Sequence, residues 1–249
     1  MKTAKIAKHT VEYYDSIEDL PIVRFHKYNK MLLVDAGLGS DLTDIDSHVE
    51  RAIAFIKTQK KEQAIGELLN LRKNVFFVQM NLSPKHLAFA ALVKSVDGKE
   101  CNDLSDDGLR KVVELLSDCT KGQIDKELEE SKKKVDAELV AYFPAMFDNA
   151  EIKEYYNLMK KRVVATLDAI INGGDYTEVE RLTNEFITFA NPPDFETAEN
   201  VEIKCDKNFE RMCLMIAQHL NCNAKELSTM AFYNAFDYLR ETQRKQTKK

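Results

Sequence analysis

Gly37-Leu38-Gly39-Ser40 is a glycine-bracketed turn that follows an apolar run and precedes a helical pattern. Free N–H groups at the start of a helix attract phosphates. The dinucleotide fingerprint, however, needs a third glycine where Leu42 stands, and a P-loop needs a lysine after the turn. The aspartates that follow would also repel a phosphate. We therefore expect no nucleotide and no other cofactor.

Those aspartates, Asp41, Asp44 and Asp46, have oxygen ligands that suit a hard cation. A calcium loop places its acids at alternate positions and adds a glycine and a distant glutamate, and this spacing differs. Acids before a helix also stabilise the positive end of its dipole. We predict a helix that begins at Ser47, with Glu50 completing a capping box and the three aspartates near its start.

Cysteine and histidine side chains near the C-terminus are the other candidates for chemistry. Cys205, Cys213, His219 and Cys222 lie eight, six and three residues apart, whereas zinc ligands usually come in closely spaced pairs. The five histidines are scattered, and none adjoins a serine or cysteine in a known nucleophile setting. We predict no catalytic, cofactor-binding or metal-binding residues and class the protein as not an enzyme.

The segment from 19 to 34 has apolar, aromatic and basic residues without a clean helical or alternating period. Aromatic residues and arginine are favoured at the centres of protein interfaces. We predict that the segment binds a partner. The candidate partner-binding residues are Ile22, Val23, Arg24, Phe25, Tyr28 and Met31.

Two other interpretations of this segment stay open. It can line the core beneath the first helices. Its basic and aromatic strip, residues 24–30, can also contact a nucleic-acid backbone and stack bases. The acidic residues just downstream and the net charge of −5 argue against nucleic acid.

The composition is that of a folded protein rather than a disordered one. Of 249 residues, 44% are hydrophobic and 31% are charged, so a sizeable core is expected. Five cysteines without a CxxC pair favour a reducing compartment. The basic residues 1–9 precede no apolar stretch, and no apolar run approaches the roughly 20 residues that span a bilayer. We expect neither a secretion signal nor membrane insertion.

Helical periodicity dominates the rest of the chain and predicts a mainly α fold. We expect a multi-helix bundle with a short irregular or β-containing N-terminal segment and a small C-terminal helical pair. Ser105 is expected to start a helix. The strongest helical pattern is a stripe spaced 4, 3, 4, 4 and 3 residues: Ile152, Tyr156, Met159, Val163, Leu167 and Ile170. Another stripe has Val49, Ala52, Ile53 and Ile56.

Breaks in these patterns predict four regions. The strongest break is Asn191-Pro192-Pro193-Asp194. The predicted regions are an N-terminal arm and irregular segment (1–46), a main helical domain (47–190), a linker (191–205) and a C-terminal helical pair with a basic tail (206–249).

Four stretches resemble proteins encoded among the virion genes of tailed bacteriophages of gut bacteria. They are DLPIVRFHKYNKMLLVDAGLGSDLTDID, LLNLRKNVFFV, SPKHLAFAALVKSVDGKE and CLMIAQHLNCNAKELSTMAFYNAFDYLRE. The resemblance covers residues 19–120 and 205–241. The last stretch is similar in style to the C-terminal helical pairs of phage tail-assembly and connector proteins. The resemblance is a pattern of helices and turns with no site residues to carry over.

This resemblance implies a non-enzymatic protein of virion morphogenesis, either a structural part of the particle or a tail-assembly factor. Its partners would be other virion or assembly proteins, with a homo-oligomer as an open alternative. It would work in the host cytoplasm during assembly, with the virion as the other location. The competing class is a cytoplasmic helical enzyme or regulator. Converging His, Cys or acidic residues would favour the enzyme, and a flat apolar patch would favour assembly.

Overall fold

A computed structural model describes residues 1–118, 121–147, 150–189, 191–197 and 200–247. The strands are β1 (Lys2–Ile6), β2 (His9–Tyr13), β3 (Val93–Val96) and β4 (Lys99–Glu100). The helices are α1 (Ile22–Leu38), α2 (Leu42–Lys57), α3 (Lys61–Gln79), α4 (Pro84–Leu92), α5 (Asp106–Leu115), α6 (Lys121–Tyr142), α7 (Pro144–Phe147), α8 (Ala150–Ile171), α9 (Thr177–Phe189), α10 (Val201–Leu220) and α11 (Thr229–Thr247). The mainly α fold is confirmed. Within the described ranges, no helix combines the length and the apolar character needed to cross a bilayer.

The chain divides into two compact units, each assembled from separate stretches. Unit 1 contains Met1–Gly39, Leu82–Pro144 and Val201–Lys249, and unit 2 contains Ser40–Asn81 and Ala145–Asn200. This division differs from the four predicted regions because distant stretches pair. Strand β2 pairs with β3, and near the other end Thr229 donates to the carbonyl oxygen of Leu20 through both its backbone N–H and its hydroxyl.

A four-stranded antiparallel sheet lies in unit 1, with strand order β1-β2-β3-β4. Val11 pairs with Val96 across β2 and β3, and both are buried. Asp97 and Gly98 form the turn into β4, with φ angles of 49° and 77°. A turn with two positive φ values suits the twist of a two-stranded hairpin. The region predicted as an arm therefore begins as part of a sheet.

Helix α1 begins directly after Pro21, which is its N-cap residue. Proline is tolerated at a helix start because its missing N–H would have no intrahelical partner there. The chain from Ile22 to Leu38 is therefore helical, where the sequence left strand and helical turn undecided. Helix α1 packs on α4, and it also contacts α10 and α11.

Helix α2 begins at Leu42, before the predicted start at Ser47, because Asp41 caps it. The Asp41 side chain accepts from the N–H groups of Thr43 and Asp44, while the Asp44 side chain accepts from the N–H of Asp41. This reciprocal capping box satisfies orphan donors six residues before the predicted cap. Asp41 and Asp44 are thus helix-start acids, as predicted. Ser105 also caps its helix as expected, by accepting from the N–H of Gly108.

Unit 2 consists of two helical hairpins, α2–α3 and α8–α9, and helix α9 also packs on α2. Gln59 and Gly173 occupy the two interhelical turns with φ angles of 58° and 59°. The segment Asn191–Thr197 continues from the second hairpin and packs on α3. Asn70 donates to the carbonyl oxygen of Pro193 at 2.9 Å. Ala190, the last residue of the predicted main helical domain, lies outside the described residues.

Candidate functional site

The residues predicted as a partner-binding surface lie mostly in the core of unit 1. Phe25 and Tyr28 are 1% and 0% exposed, and Ile22 and Met31 are also buried. These four side chains follow one another at spacings of three residues, so the buried face winds around α1 along its length. The Phe25 ring lies 6.0 Å from that of Tyr233 on α11. The structure therefore corrects the placement of these side chains, because a face packed inside unit 1 is not open to a partner.

Arg24 and Val23 complete the predicted set. Val23 is half-buried. Arg24 is buried, and its guanidinium donates to the carbonyl oxygens of Ala91, Val93 and Cys101 at 3.1, 2.7 and 2.5 Å. Burial lowers the pKa of Arg24. This arginine connects α1 to the end of α4 and to the strands that follow, so its donors are directed at backbone and not at a nucleic acid.

His26, Lys30 and Asp206 form a polar cluster between α1 and α10. The His26 ring stacks on Phe209 with 4.1 Å between ring centroids, and its Nε2 lies 2.8 Å from Oδ1 of Asp206. Lys30 Nζ donates to Oδ2 at 2.8 Å. Burial lowers the pKa of His26, and the contact with Asp206 opposes this only in part. The pKa of Asp206 is also lowered, since donation from Lys30 and His26 outweighs the effect of burial.

A second polar cluster joins the two helices of the first hairpin in unit 2. His48 and Glu67 are buried, and Nδ1 of His48 lies 2.7 Å from Oε2 of Glu67. Arg51 donates from Nε to Oε1 of Glu67 at 3.1 Å. A buried carboxylate requires such partners. The cluster therefore sets which turn of α2 faces which turn of α3.

Cysteine and acidic side chains are the remaining candidates for metal ligands, and the cysteine thiols are candidates for nucleophiles. Among the described residues, no group of three or more His, Cys, Asp or Glu side chains is placed to hold a metal ion. Burial raises the pKa of the Cys205 and Cys213 thiols. A raised pKa disfavours the thiolate, which is the nucleophilic form.

Unit 2 exposes an apolar surface along its first hairpin. We call it the α2–α3 face. It comprises Leu42, Val49, Ile53 and Ile56 of α2 with Ile65, Leu68 and Phe76 of α3. These side chains are between 38% and 69% exposed. Solvent-exposed apolar side chains that adjoin one another indicate an interaction surface.

The two stripes of the α2–α3 face lie on one side of the hairpin. His48 and Glu67 face each other across α2 and α3, which are antiparallel. A local two-fold axis perpendicular to the plane of the two helices therefore relates one helix to the other. The residues that follow them, Val49 and Leu68, therefore point to the same side. Gly66 precedes Glu67 and points to the other side, where its Cα approaches Pro192 so closely that an added Cβ would lie 3.2 Å from the proline Cγ. The segment after α9 thus packs on the Gly66 side of α3 and reaches the edge of the α2–α3 face at Ile65.

A second apolar surface lies on helix α8, and we call it the α8 face. It comprises Tyr156, Val163, Leu167 and Ile170, which are 47% to 61% exposed. The side of α8 that packs inside carries the buried Leu158 and Ala169. Leu167 lies half a turn around the helix from Leu158. Of the remaining predicted stripe, Met159 is half-buried and the Ile152 side chain lies outside the described set.

The apolar stripes on α2 and α8 have the same residue spacing. From Leu42 to Ile56 the α2 positions are separated by 7, 4 and 3 residues, and from Tyr156 to Ile170 the α8 positions repeat this spacing. The turn of each hairpin also contains a residue with a positive φ angle, Gln59 in the first and Gly173 in the second. This repeated spacing was present in the sequence and is the signal that would have identified the surface.

The geometry thus offers two exposed apolar faces on unit 2, and a buried α1 where an interface was predicted. Comparisons of the chain with protein-family models, with curated proteins and with solved structures found no match, and no family is assigned.

Proposed function

We propose that the protein acts without catalysis in the morphogenesis of a tailed-phage virion, through protein–protein contacts. It is either a structural part of the particle or a tail-assembly factor. The observation that carries the proposal is the pair of exposed apolar faces on unit 2. Four side chains on one helix at heptad-like spacing are typical of a surface that receives another helix.

The phage assignment within this proposal depends on the sequence resemblance across residues 19–120 and 205–241. Helical pairs with apolar contact surfaces suit connector and tail-assembly proteins. The partner-binding role moves from α1 to unit 2, since the residues predicted for it on α1 are buried or half-buried. The proposed location is the host cytoplasm during assembly, with the particle as the alternative.

Mass spectrometry of purified particles tests the function, with the lysate of infected host cells as the comparison. A structural component is enriched in particles relative to lysate. A tail-assembly factor is absent from particles but co-purifies from lysate with virion proteins. Recovery from lysate as a protein without any virion partner would overturn the proposal and favour the cytoplasmic enzyme or regulator.

A further inference from the structure

We infer that the α2–α3 face of one copy of the chain binds the α8 face of a second copy. The inference deepens the proposed function and rests on it in treating unit 2 as an assembly module. Each face presents several hundred Å² of apolar surface, which approaches the roughly 800 Å² per partner that stable interfaces bury. Association of copies through unit 2 would remove both faces from water.

The shapes of the two faces are complementary. The α2–α3 face is made by two adjacent antiparallel helices, whereas the α8 face is a single helical stripe. A single helix packs well against the groove between two others, with side chains of one entering spaces of the other. The two stripes also match in length, because Leu42–Ile56 and Tyr156–Ile170 each span about 21 Å.

Charges beside the two faces are also complementary. Asp46 and Glu50 are exposed on α2 next to its stripe, and Lys160 is exposed on α8 within the turn that separates Tyr156 from Val163. In the described part of the chain, none of these three side chains forms a salt bridge or a side-chain hydrogen bond. Opposite charges at the rim of an interface fix orientation and accelerate association.

The resulting contact is head-to-tail. Helix α9 packs on both α8 and α2, and the two faces belong to different hairpins of unit 2. A surface that binds a different surface of the next copy leaves one face open at each end. Such heterologous contacts generate rings when the rotation closes and filaments when it does not. The inferred partner is therefore a series of identical copies, as a ring or tube in a particle would require.

Two charge variants of the full chain test this arrangement. Ile53→Glu places a charge on the α2–α3 face, and Leu167→Glu places one on the α8 face. Both positions are exposed, so the fold is retained, which circular dichroism and the melting temperature check. Ser47→Glu and Asn157→Glu are matched controls at exposed polar positions of the same helices. Sedimentation velocity up to roughly 100 μM detects association with micromolar Kd.

Wild-type protein and both controls should exceed the monomer mass of 28.6 kDa as concentration rises. Each face variant alone should stay monomeric. An equimolar mixture of the two variants should form a dimer and stop there, because each copy keeps the one face that the other needs. This mixing result separates the head-to-tail contact from a symmetric one, in which a face binds its own kind.

A wild-type chain that remains monomeric at every concentration would overturn the inference. So would a mixture of the two face variants that remains monomeric, or the loss of association in only one of them. These measurements use the purified chain alone, whereas the proposed function is tested in particles and lysate. Failure of self-association with the protein still present in particles would leave the function standing with a different partner.

Discussion

At the scale of residues, the side chains of α1 illustrate how an apparent interface segment becomes core. The sequence from 19 to 34 shows no clean period because both faces of α1 carry large side chains. Phe25 and Tyr28 are buried, whereas Leu33 on the same helix is 38% exposed. The candidate residues were thus identified as important from the sequence, but whether they face a core or a partner depends on α4, α10 and α11, which no local pattern reveals.

Replacing Phe25 and Tyr28 together by alanine should lower the free energy of unfolding by at least about 3 kcal/mol, since large cavities would replace two packed rings. Urea denaturation followed by circular dichroism measures the change. Leu33→Ala is the matched control and should change stability by less than about 1 kcal/mol. A double variant with unchanged stability would show that the rings are not core.

Arg24→Met should destabilise unit 1 by about 2–4 kcal/mol, because three backbone carbonyl groups lose a charged donor in a buried place. Denaturation midpoints measure this loss. Arg110→Met removes an exposed arginine and serves as the control. Equal midpoints for the two variants would contradict the connecting role of Arg24.

Stability should depend on the ionisation of His26. Its folded pKa lies below the ordinary value of 6.5, so between these two values the unfolded chain binds more protons than the folded chain. The stability that neutral His26 contributes is therefore present above about pH 6.5 and lost as the pH falls through the lower folded pKa. Asp206 loses its contribution in a separate window below 3.8.

Unfolding measured from about pH 7.5 to pH 5 should show this decline, and His26→Gln should reduce it. His219→Gln, which changes an exposed histidine, should leave the decline as in the wild type. If the His26→Gln variant loses as much stability with falling pH as the wild type, other groups cause the pH dependence.

At the scale of elements, the buried ion cluster determines how α2 and α3 pair. Glu67 is held by His48 and Arg51 in the interior of the hairpin. A cluster of this kind adds little net stability compared with apolar side chains, but removing one member leaves a charge buried without its partner. The cluster therefore fixes the register of α2 against α3. This register in turn aligns the two stripes of the α2–α3 face.

Glu67→Ala should cost about 3 kcal/mol or more of unfolding free energy, while Glu62→Ala on the exposed side of α3 should cost less than about 1 kcal/mol. The double variant His48→Leu with Glu67→Leu should recover much of the loss, since the buried His48 no longer lacks its partner and the partly exposed Arg51 can reach water. Denaturation of the three variants measures these differences. A double variant less stable than Glu67→Ala would refute the account.

Most helices could be predicted from periodicity, and α3 and α6 show why. Each has apolar residues at helical spacing over many turns, bounded by loop residues. Strand β3 was missed because Val93 continues the apolar run of α4, so no change of period marks where the helix ends. The candidate interaction site could not be derived in the same way. A stripe on α8 has the same spacing whether its partner is in the same chain or in another.

At the scale of the whole molecule, unit 1 is closed by stretches from both ends of the chain. Leu20 accepts from Thr229, Ile17 accepts from the N–H of Met230, and Ile22 donates to the carbonyl oxygen of Leu227. Phe232 is fully buried in the same unit. The sheet and α1 therefore depend on helices that follow them by about two hundred residues, which explains why the predicted regions did not coincide with the compact units.

A chain ended after residue 200 should not fold unit 1. Hydrogen exchange measures the result: amides of β1 and β2 should lose protection, while those of α2 and α3 should keep it. A chain ended after residue 240, which retains Thr229 and Phe232, is the control and should protect both sets. Full protection of β1 and β2 in the shorter chain would show that the C-terminal stretch is dispensable.

The same chain path has a consequence for the order of events on the ribosome. Synthesis proceeds from the N-terminus at roughly 5–20 residues per second, and unit 2 has its whole sequence once Asn200 is made. Unit 1 begins earlier but must wait for the residues around Thr229. Hence the stretch that is translated first belongs to the unit that is completed last. The assembly faces of a nascent chain can form while its first strands still lack the C-terminal helices.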